Sequence, residues 1–350
     1  MTIRALDGLR GLAVLLVLLS HMSLHRINLI EPLDFSGIGK SGVFLFFALS
    51  AFLLTWQALQ FDNGVMQSGQ YWLGYAIRRI ARIYPLYLVA LTISFALFAS
   101  GQNVNPKITS LEQLLNHILL RDGQHIFWAI PVEFKYYILL PLVTFMLAIS
   151  YKQHAILPVL IALATITIIN YKWPPNETEN NSIILMPYLG IFIIGSLGAV
   201  YSHLAVNKDS VMEVLGWVCL IIALLSIPSV WRALIDPHAT NQIFHSHFLI
   251  YGAVWTTTII SATSATRFAA FFEFAPLCFL GRISFSIYLW HYLIVQFIAR
   301  DISIHPSLQF LLVFMLTLPI SWLSYRLIER PFINWSHKKT NRWHQIQVSA

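Results

Sequence analysis

Ten stretches of this chain are too long and too apolar to be surface helices, and they leave little sequence for anything else. They run at about Leu6–Leu24, Gly42–Leu59, Ile80–Ala99, Phe127–Ala148, Ala155–Asn170, Ile183–His203, Met212–Pro228, Phe244–Ser264, Leu277–Ile298 and Leu308–Ile328. A membrane-crossing helix needs roughly 20 mainly apolar residues. In hydrocarbon a helix also satisfies its own backbone hydrogen bonds. The pattern predicts an all-α fold, a polytopic membrane bundle of about ten transmembrane helices, with the fifth and seventh runs short. Composition agrees: 11% of residues are charged, against about 25% in a soluble domain. Polar, turn-forming segments such as "GQNVNPK" and "KWPPNETENN" separate the runs. No repeat is visible and no loop is long enough for a second domain. The expected organisation is one transmembrane domain, 1–333, and a basic cytoplasmic tail, 334–350, without fixed structure.

The net charge of +7 is small for a nucleic-acid binder, so no nucleic-acid partner is expected. In a membrane protein it reads as an orientation signal. With the N-terminus inside, fourteen Lys and Arg fall in inner segments, among them Arg10 and the cluster Arg78, Arg79 and Arg82. Seven fall in outer loops, among them Arg26, Lys40 and Arg232. That bias predicts both termini in the cytoplasm. Cys219 and Cys278 lie in apolar runs and read as buried thiols. No cleavable signal is expected, because the first apolar run leads straight into others.

A charged side chain at mid-membrane costs about 2.5–3.5 kcal/mol on insertion scales, so each intramembrane polar residue calls for a reason. "RGLAVLLVLLSH" runs from Arg10 to His21. Eleven residues at 1.5 Å each put His21 roughly 16 Å along the helix from Arg10, near the bilayer middle. His21 is either a neutral histidine bonded across a helix interface or a general base near neutral pH. "FWAIPVEFKYY" places Glu133 in a helix start. There it is either an acid favoured by the helix dipole or a carboxylate that orients a histidine. Tyr137, four residues on, shares its face; Lys135 is expected to snorkel. "RRIARIYPLY" carries Arg78, Arg79 and Arg82, either a positive-inside anchor or a phosphate clamp at a helix N-terminus. His291, in "SIYLWHYLIV", sits in an aromatic belt or at a reaction centre. His245 and His247, at i,i+2, point to opposite sides of a helix and find no third ligand, so no metal is expected. "ERPF" at Glu329–Phe332 reads as a helix stop, with Glu329 able to pair with a nearby arginine.

Together "LDGLRGLAVLLVLLSH", "GVFLFFALSAFLL", "RRIARIYPLY", "FWAIPVEFKYY", "SIYLWH" and "IERPF" resemble the membrane-bound acyltransferase family 3 over essentially the whole chain, Leu6 to Phe332. The resemblance implies a multi-pass protein of the bacterial cell inner (plasma) membrane. It also implies transfer of an acyl group, usually acetyl from acetyl-CoA, to a hydroxyl of a surface polysaccharide, lipopolysaccharide or lipid-linked glycan. By position, the family's essential arginine and histidine fall on Arg10 and His21, its arginine motif on Arg78 and Arg82, and its glutamate on Glu133. Two departures stand out. Ala51 replaces the usual glycine of "LSGFL", and Pro131-Val132-Glu133-Phe134-Lys135 lacks the family's second acid. With no room for the fused extracytoplasmic domain that some members carry, either the chain modifies its acceptor directly or a separate extracytoplasmic transferase completes the reaction.

On this reading Arg78, Arg79 and Arg82 hold the phosphates of acetyl-CoA, a co-substrate rather than a bound cofactor. His21 is general base or acyl carrier, and Glu133 fixes its tautomer or stabilises its imidazolium. Tyr137, His291 or a backbone amide stabilises the oxyanion. The alternatives are a translocator that moves a glycan or glycolipid without chemistry, and a scaffold subunit of an envelope-synthesis complex.

Overall fold

The computed structural model describes residues 4–30, 33–61, 68–241, 245–264 and 266–348, with 341–348 as backbone alone. The described residues form fifteen α-helices joined by turns and short 3-10 segments, with no strand among them. The expected span start at Phe244 and most of the turn at 61–70 lie outside the described residues.

The long helices are α1 (Arg4–Leu24), α2 (Gly39–Leu59), α3 (Gly69–Ala99) and, after a short α4 (Leu111–Ile118), α5 (Ala129–Gln153). Then come α6 (Leu157–Lys172), α7 (Leu189–Tyr201), α8 (Asp209–Leu225), α9 (Pro228–Leu234) and α10 (Phe248–Ser261). The chain closes with α11 (Arg267–Phe272), α12 (Ala275–Arg282), α13 (Ser284–Asp301), α14 (Pro306–Ser324) and α15 (Arg330–Val348). Among the described residues six helical stretches are long and apolar enough to cross a membrane: Arg4–Leu24, Gly39–Leu59, Gly69–Ala99, His125–Gln153, Met186–Ala205 and Pro306–Thr340. Counting the bent pairs α8–α9 (84°) and α12–α13 (79°) as single spans raises the number to eight. The apolar helices α6 and α10 have 16 and 14 residues, shorter than the roughly 20 that a full crossing needs. Each of the ten apolar runs thus coincides with an apolar helix, while the crossings by length are six to eight.

Two close helix contacts set the frame. A Cβ on Gly8 would lie 1.8 Å from the Phe272 carbonyl oxygen, and one on Gly281 would lie 1.8 Å from the Asp7 carbonyl oxygen. No side chain fits there, so α1 meets the end of α11 at Gly8 and crosses α12 at Gly281 with backbone against backbone, as small residues permit in membrane bundles. On the other side α2 packs on α7. A Cβ on Gly195 would sit 3.0 Å from the Cβ of Ala51. Ala51 stands where the resemblance implies a glycine, and Gly195 leaves room for its methyl group from across the interface. Phe47 stacks on Phe192 at 4.7 Å between ring centres, and Tyr136 stacks on Phe192 at 4.2 Å. These rings bind α2, α5 and α7 into one core.

The C-terminal region departs from the sequence-based expectation. "ERPF" does not stop the helix. A π-turn at Tyr325–Glu329 joins α14 to α15, with the Arg330 amide reaching back to the Tyr325 carbonyl. The wider turn takes Pro331 into the second position of the next helical segment, where a missing N–H is tolerated. The segment beyond 334, expected to lack fixed structure, is helical as far as Val348. Its polar composition hid the reason. Ser336 and Thr340, at i,i+4, are both buried, and Thr340 packs where Gly74 of α3 leaves space. Of the two thiols, Cys278 is buried and Cys219 only half-buried.

Candidate active site

Two cavities lie side by side inside the bundle, with α1 contributing to both. The first, of about 240 Å³, is lined by His21, Lys40, His125, Trp128, Asn180, Asn181, Asn241, His245 and Tyr292, among others. Its floor is the end of α1, which carries His21. Its roof is the loop before α2. Ser20 Oγ accepts from the Gly37 amide at 3.1 Å, and Gly37 takes a φ of +93° with Asn241 where a Cβ would have to go. Arg232 ties this roof down, donating to Asp34 at 3.1 Å and to Asn241 at 2.6 Å.

His21 is bonded to His291 of α13, not to a carboxylate: His21 Nδ1 and His291 Nε2 are 2.9 Å apart. His291 Nδ1 lies 3.0 Å from the Ile287 carbonyl oxygen. A carbonyl only accepts, so His291 carries its proton on Nδ1 and presents a bare Nε2. His21 must then donate through Nδ1, which leaves its own Nε2 unprotonated. Among the described residues no hydrogen bond engages that nitrogen. The chain Ile287–His291–His21 therefore assigns the tautomer that a general base needs. His291 is fully buried, whereas His21 is partly accessible from the cavity. Tyr292 packs edge-on against the His21 ring at 4.8 Å. His25, just beyond the end of α1, faces the same tyrosine, and burial lowers its pKa below the ordinary imidazole value.

The second cavity, of about 380 Å³, is lined by Arg10, Arg78, Arg79, Arg82, Glu133, Tyr137, Ser50, Gln57 and His337, among others. The four guanidinium groups come from two helices. Arg10 projects from the first half of α1 and is paired with Asp7 at 2.7 Å. Arg78, Arg79 and Arg82 come from α3. Arg79 lies over the Tyr137 ring at 5.8 Å, and its Nε is buried without a hydrogen-bond partner. A buried, unmatched guanidinium N–H is costly unless an acceptor arrives. Glu133 Oε1 accepts from Tyr137 at 2.6 Å, one turn along α5, and from Ser50 of α2. Outside the lining, Glu329, buried in the π-turn, accepts from Ser286 and lies in the field of Arg82. The cationic wall, the orphan donor and the size suit a polyanionic group of a co-substrate.

Val43 and Tyr288 line both cavities and form the partition between them. The Tyr288 hydroxyl is held by the Ile126 carbonyl.

The structure thus gathers Arg10, Arg78, Arg79, Arg82, Glu133 and Tyr137 around one cavity, and His21 with His291 beside the other. It corrects one expectation. Glu133 does not orient His21. Its hydrogen bonds go to Ser50 and Tyr137 on the arginine side, and His291 takes the place beside the imidazole. Lys135 donates to the Ile183 carbonyl at 2.8 Å, away from both cavities. His245 lines the histidine cavity, and among the described residues no group of three metal-ligating side chains is assembled. Sequence reasoning missed Ser50, Tyr288 and His337. Ser50 was visible as a polar residue inside an apolar run, and Lys40 was counted only as an outer cation. Tyr288 read as one of several aromatic residues, and His337 was hidden by the polar tail.

The bundle thus holds a hydrogen-bonded histidine pair at one cavity and a guanidinium cluster in the next. The sequence model of the acyltransferase 3 family, described as "Acyltransferase domain", matches residues 3–326, and the chain belongs to that family. It is similar to the O-acetyltransferase OatA of Staphylococcus aureus strain NCTC 8325, 25% identical over 361 residues that cover 93% of this chain and 56% of that protein. A protein of S. aureus strain COL with a provisional O-acetyltransferase name is 24% identical over 387 residues, covering 94% of this chain and 57% of the relative. The chain spans a little over half the length of these relatives. No solved structure matches it.

Proposed function

We propose that this chain transfers an acyl group, acetyl from acetyl-CoA, to a hydroxyl of a cell-surface carbohydrate or lipid-linked glycan. Both termini face the cytoplasm, as the positive-inside bias suggests, and the membrane is the cell inner (plasma) membrane of a bacterium. The arginine cavity then opens toward the cytoplasm and the histidine cavity toward the outside.

Each residue has one task on this reading. Arg10, Arg78, Arg79 and Arg82 bind the phosphates of the donor through charge-assisted hydrogen bonds. The thioester passes the partition at Val43 and Tyr288. His21 Nε2 takes the proton of the acceptor hydroxyl as its oxygen attacks the thioester carbon. The C–S bond breaks, and the proton goes on to the departing thiolate of CoA. His291 holds the tautomer and shares the imidazolium charge while it lasts. Glu133 and Tyr137 shape the donor side. A positioned base of this kind contributes about 10²–10⁴-fold to rate.

The observation that carries this reading is the adjacency of the two cavities across Val43 and Tyr288. A hydrogen-bonded histidine pair lies on one side and an arginine cluster on the other. The test is acyl transfer in proteoliposomes given labelled acetyl-CoA on the arginine side, wild type beside His21→Ala. Release of CoA with labelling of an added glycan acceptor by wild type alone supports it. Background CoA release from both, with movement of a glycolipid across the bilayer by wild type, overturns it in favour of a translocator.

A further inference from the structure

Lys40 has a neutral environment. Its Nζ donates to Asn181 Oδ1 at 2.6 Å and sits 4.1 Å over the Trp128 ring. Neither partner carries a charge, and among the described residues no carboxylate lines the histidine cavity or pairs with Lys40. The nearest ion pair in the roof, Asp34 with Arg232, is already satisfied within itself. Both contacts suit an ammonium held in place and aimed into the cavity: the amide oxygen fixes one N–H, and the ring face stabilises the cation. Withdrawing an ammonium from water without a counter-charge is costly, and proteins seldom keep such a group without a partner.

The rest of the lining says what sort of molecule completes it. Asn180, Asn181 and Asn241 offer amide donors and acceptors, and Trp128 and Tyr292 offer ring faces. Such a mixture grips a hydroxylated ring. At about 240 Å³ the cavity falls below the roughly 300–1,000 Å³ of sites for drug-sized ligands. One sugar-sized unit fits, with the remainder of any longer chain outside.

We propose that the histidine cavity selects an acidic saccharide, and that Lys40 is the specificity-determining residue that pairs with an oxyanion on the ring bearing the acylated hydroxyl. This rests on the acyl-transfer reading only in calling that saccharide the acceptor. Lysine acts as a point charge and does not distinguish carboxylate from phosphate by geometry, so the shared chemistry is the oxyanion.

The test uses the full chain in lipid nanodiscs and three probes: methyl glucoside, methyl glucuronide and methyl glucoside 6-phosphate. Binding is read by calorimetry, and acetyl transfer to each probe is read with labelled acetyl-CoA. Wild type is expected to bind at least one charged probe about 10–100-fold more tightly than the neutral one, the span of a charged hydrogen bond. The glucuronide arm and the phosphate arm show which oxyanion is taken. The preference should collapse in Lys40→Met and survive in Lys40→Arg. Equal binding of all three probes by wild type, or no binding of any, overturns the proposal. So does a preference that persists in Lys40→Met. If Lys40→Met does not fold, the wild-type comparison decides alone, read at low and high salt, since a paired charge loses preference as salt screens it. Charge-selective binding without any acetyl transfer keeps the inference and sinks the acyl-transfer reading. Transfer to all three probes without preference does the reverse.

Discussion

The two cavities share a wall and little else. On the arginine side, four guanidinium groups face one carboxylate and a few hydroxyls. On the histidine side, imidazoles, amides and rings surround one ammonium. On the proposed reading the first works by summed charge, which tolerates small errors of position because Coulomb energy falls off slowly with distance. On the same reading the second works by proton placement, which fails once the 2.9 Å hydrogen bond between the histidines is lost or reversed. Damage to the two should therefore look different: graded loss of donor affinity on one side, loss of turnover on the other.

The sharpest way to break this contrast is His21→Ala. Turnover of acetyl-CoA should fall about 10²–10⁴-fold, with donor binding by calorimetry unchanged. A comparable loss of donor affinity would mean that the sides are not separate. Next comes Arg79→Ala. Removing the guanidinium with the orphan N–H should raise KM for acetyl-CoA about 10–100-fold, the value of one charge-assisted hydrogen bond, with kcat nearly kept. A fall in kcat at constant KM would place Arg79 at the chemistry instead. His291→Gln and His291→Ala sharpen the histidine side. Glutamine has a carbonyl oxygen that can accept from His21 Nδ1, so it should keep most of the activity. Alanine should lose about tenfold, near the net value of one buried hydrogen bond. Equal loss in both would remove the tautomer role. The smallest effect belongs to Glu133→Gln, which can still accept from Ser50 and Tyr137. A change of a few-fold in donor KM is expected, with the pH profile of kcat unmoved. A shifted profile would restore the carboxylate–imidazole pairing that the structure replaces.

The donor side was nearly legible in the sequence, and the histidine side only in part. Arg78 and Arg79 each sit about one helical turn from Arg82, and Glu133 and Tyr137 are at i,i+4, so helical spacing alone groups the arginines with one another and Glu133 with Tyr137. Arg10 joins them because a positive charge at the start of an apolar helix has few places to go. The pairing of His21 with His291 spans 270 residues, and no local rule links them. The aromatic setting of His291 gave an interfacial reading as good as a catalytic one. Glu133 was expected beside the imidazole for a related reason: a carboxylate and a histidine in one bilayer invite pairing, and only the packing of α2 against α5 shows its hydrogen bonds going to Ser50 and Tyr137. The continuation through Pro331 was illegible because a π-turn leaves no mark in residue types.

The backbone contacts at Gly8 and Gly281 make α1 a measuring rod clamped at one end. Arg10 and His21 stand at fixed marks on it, eleven residues apart, and neither can move without the other. A helix so held cannot serve as a piston that carries donor to acceptor. On the proposed reading, passage between the cavities therefore falls to the partition, to Val43 on α2 and Tyr288 on α13. If an acyl group crosses there as proposed, the rod fixes how far it must travel, and the partition decides when.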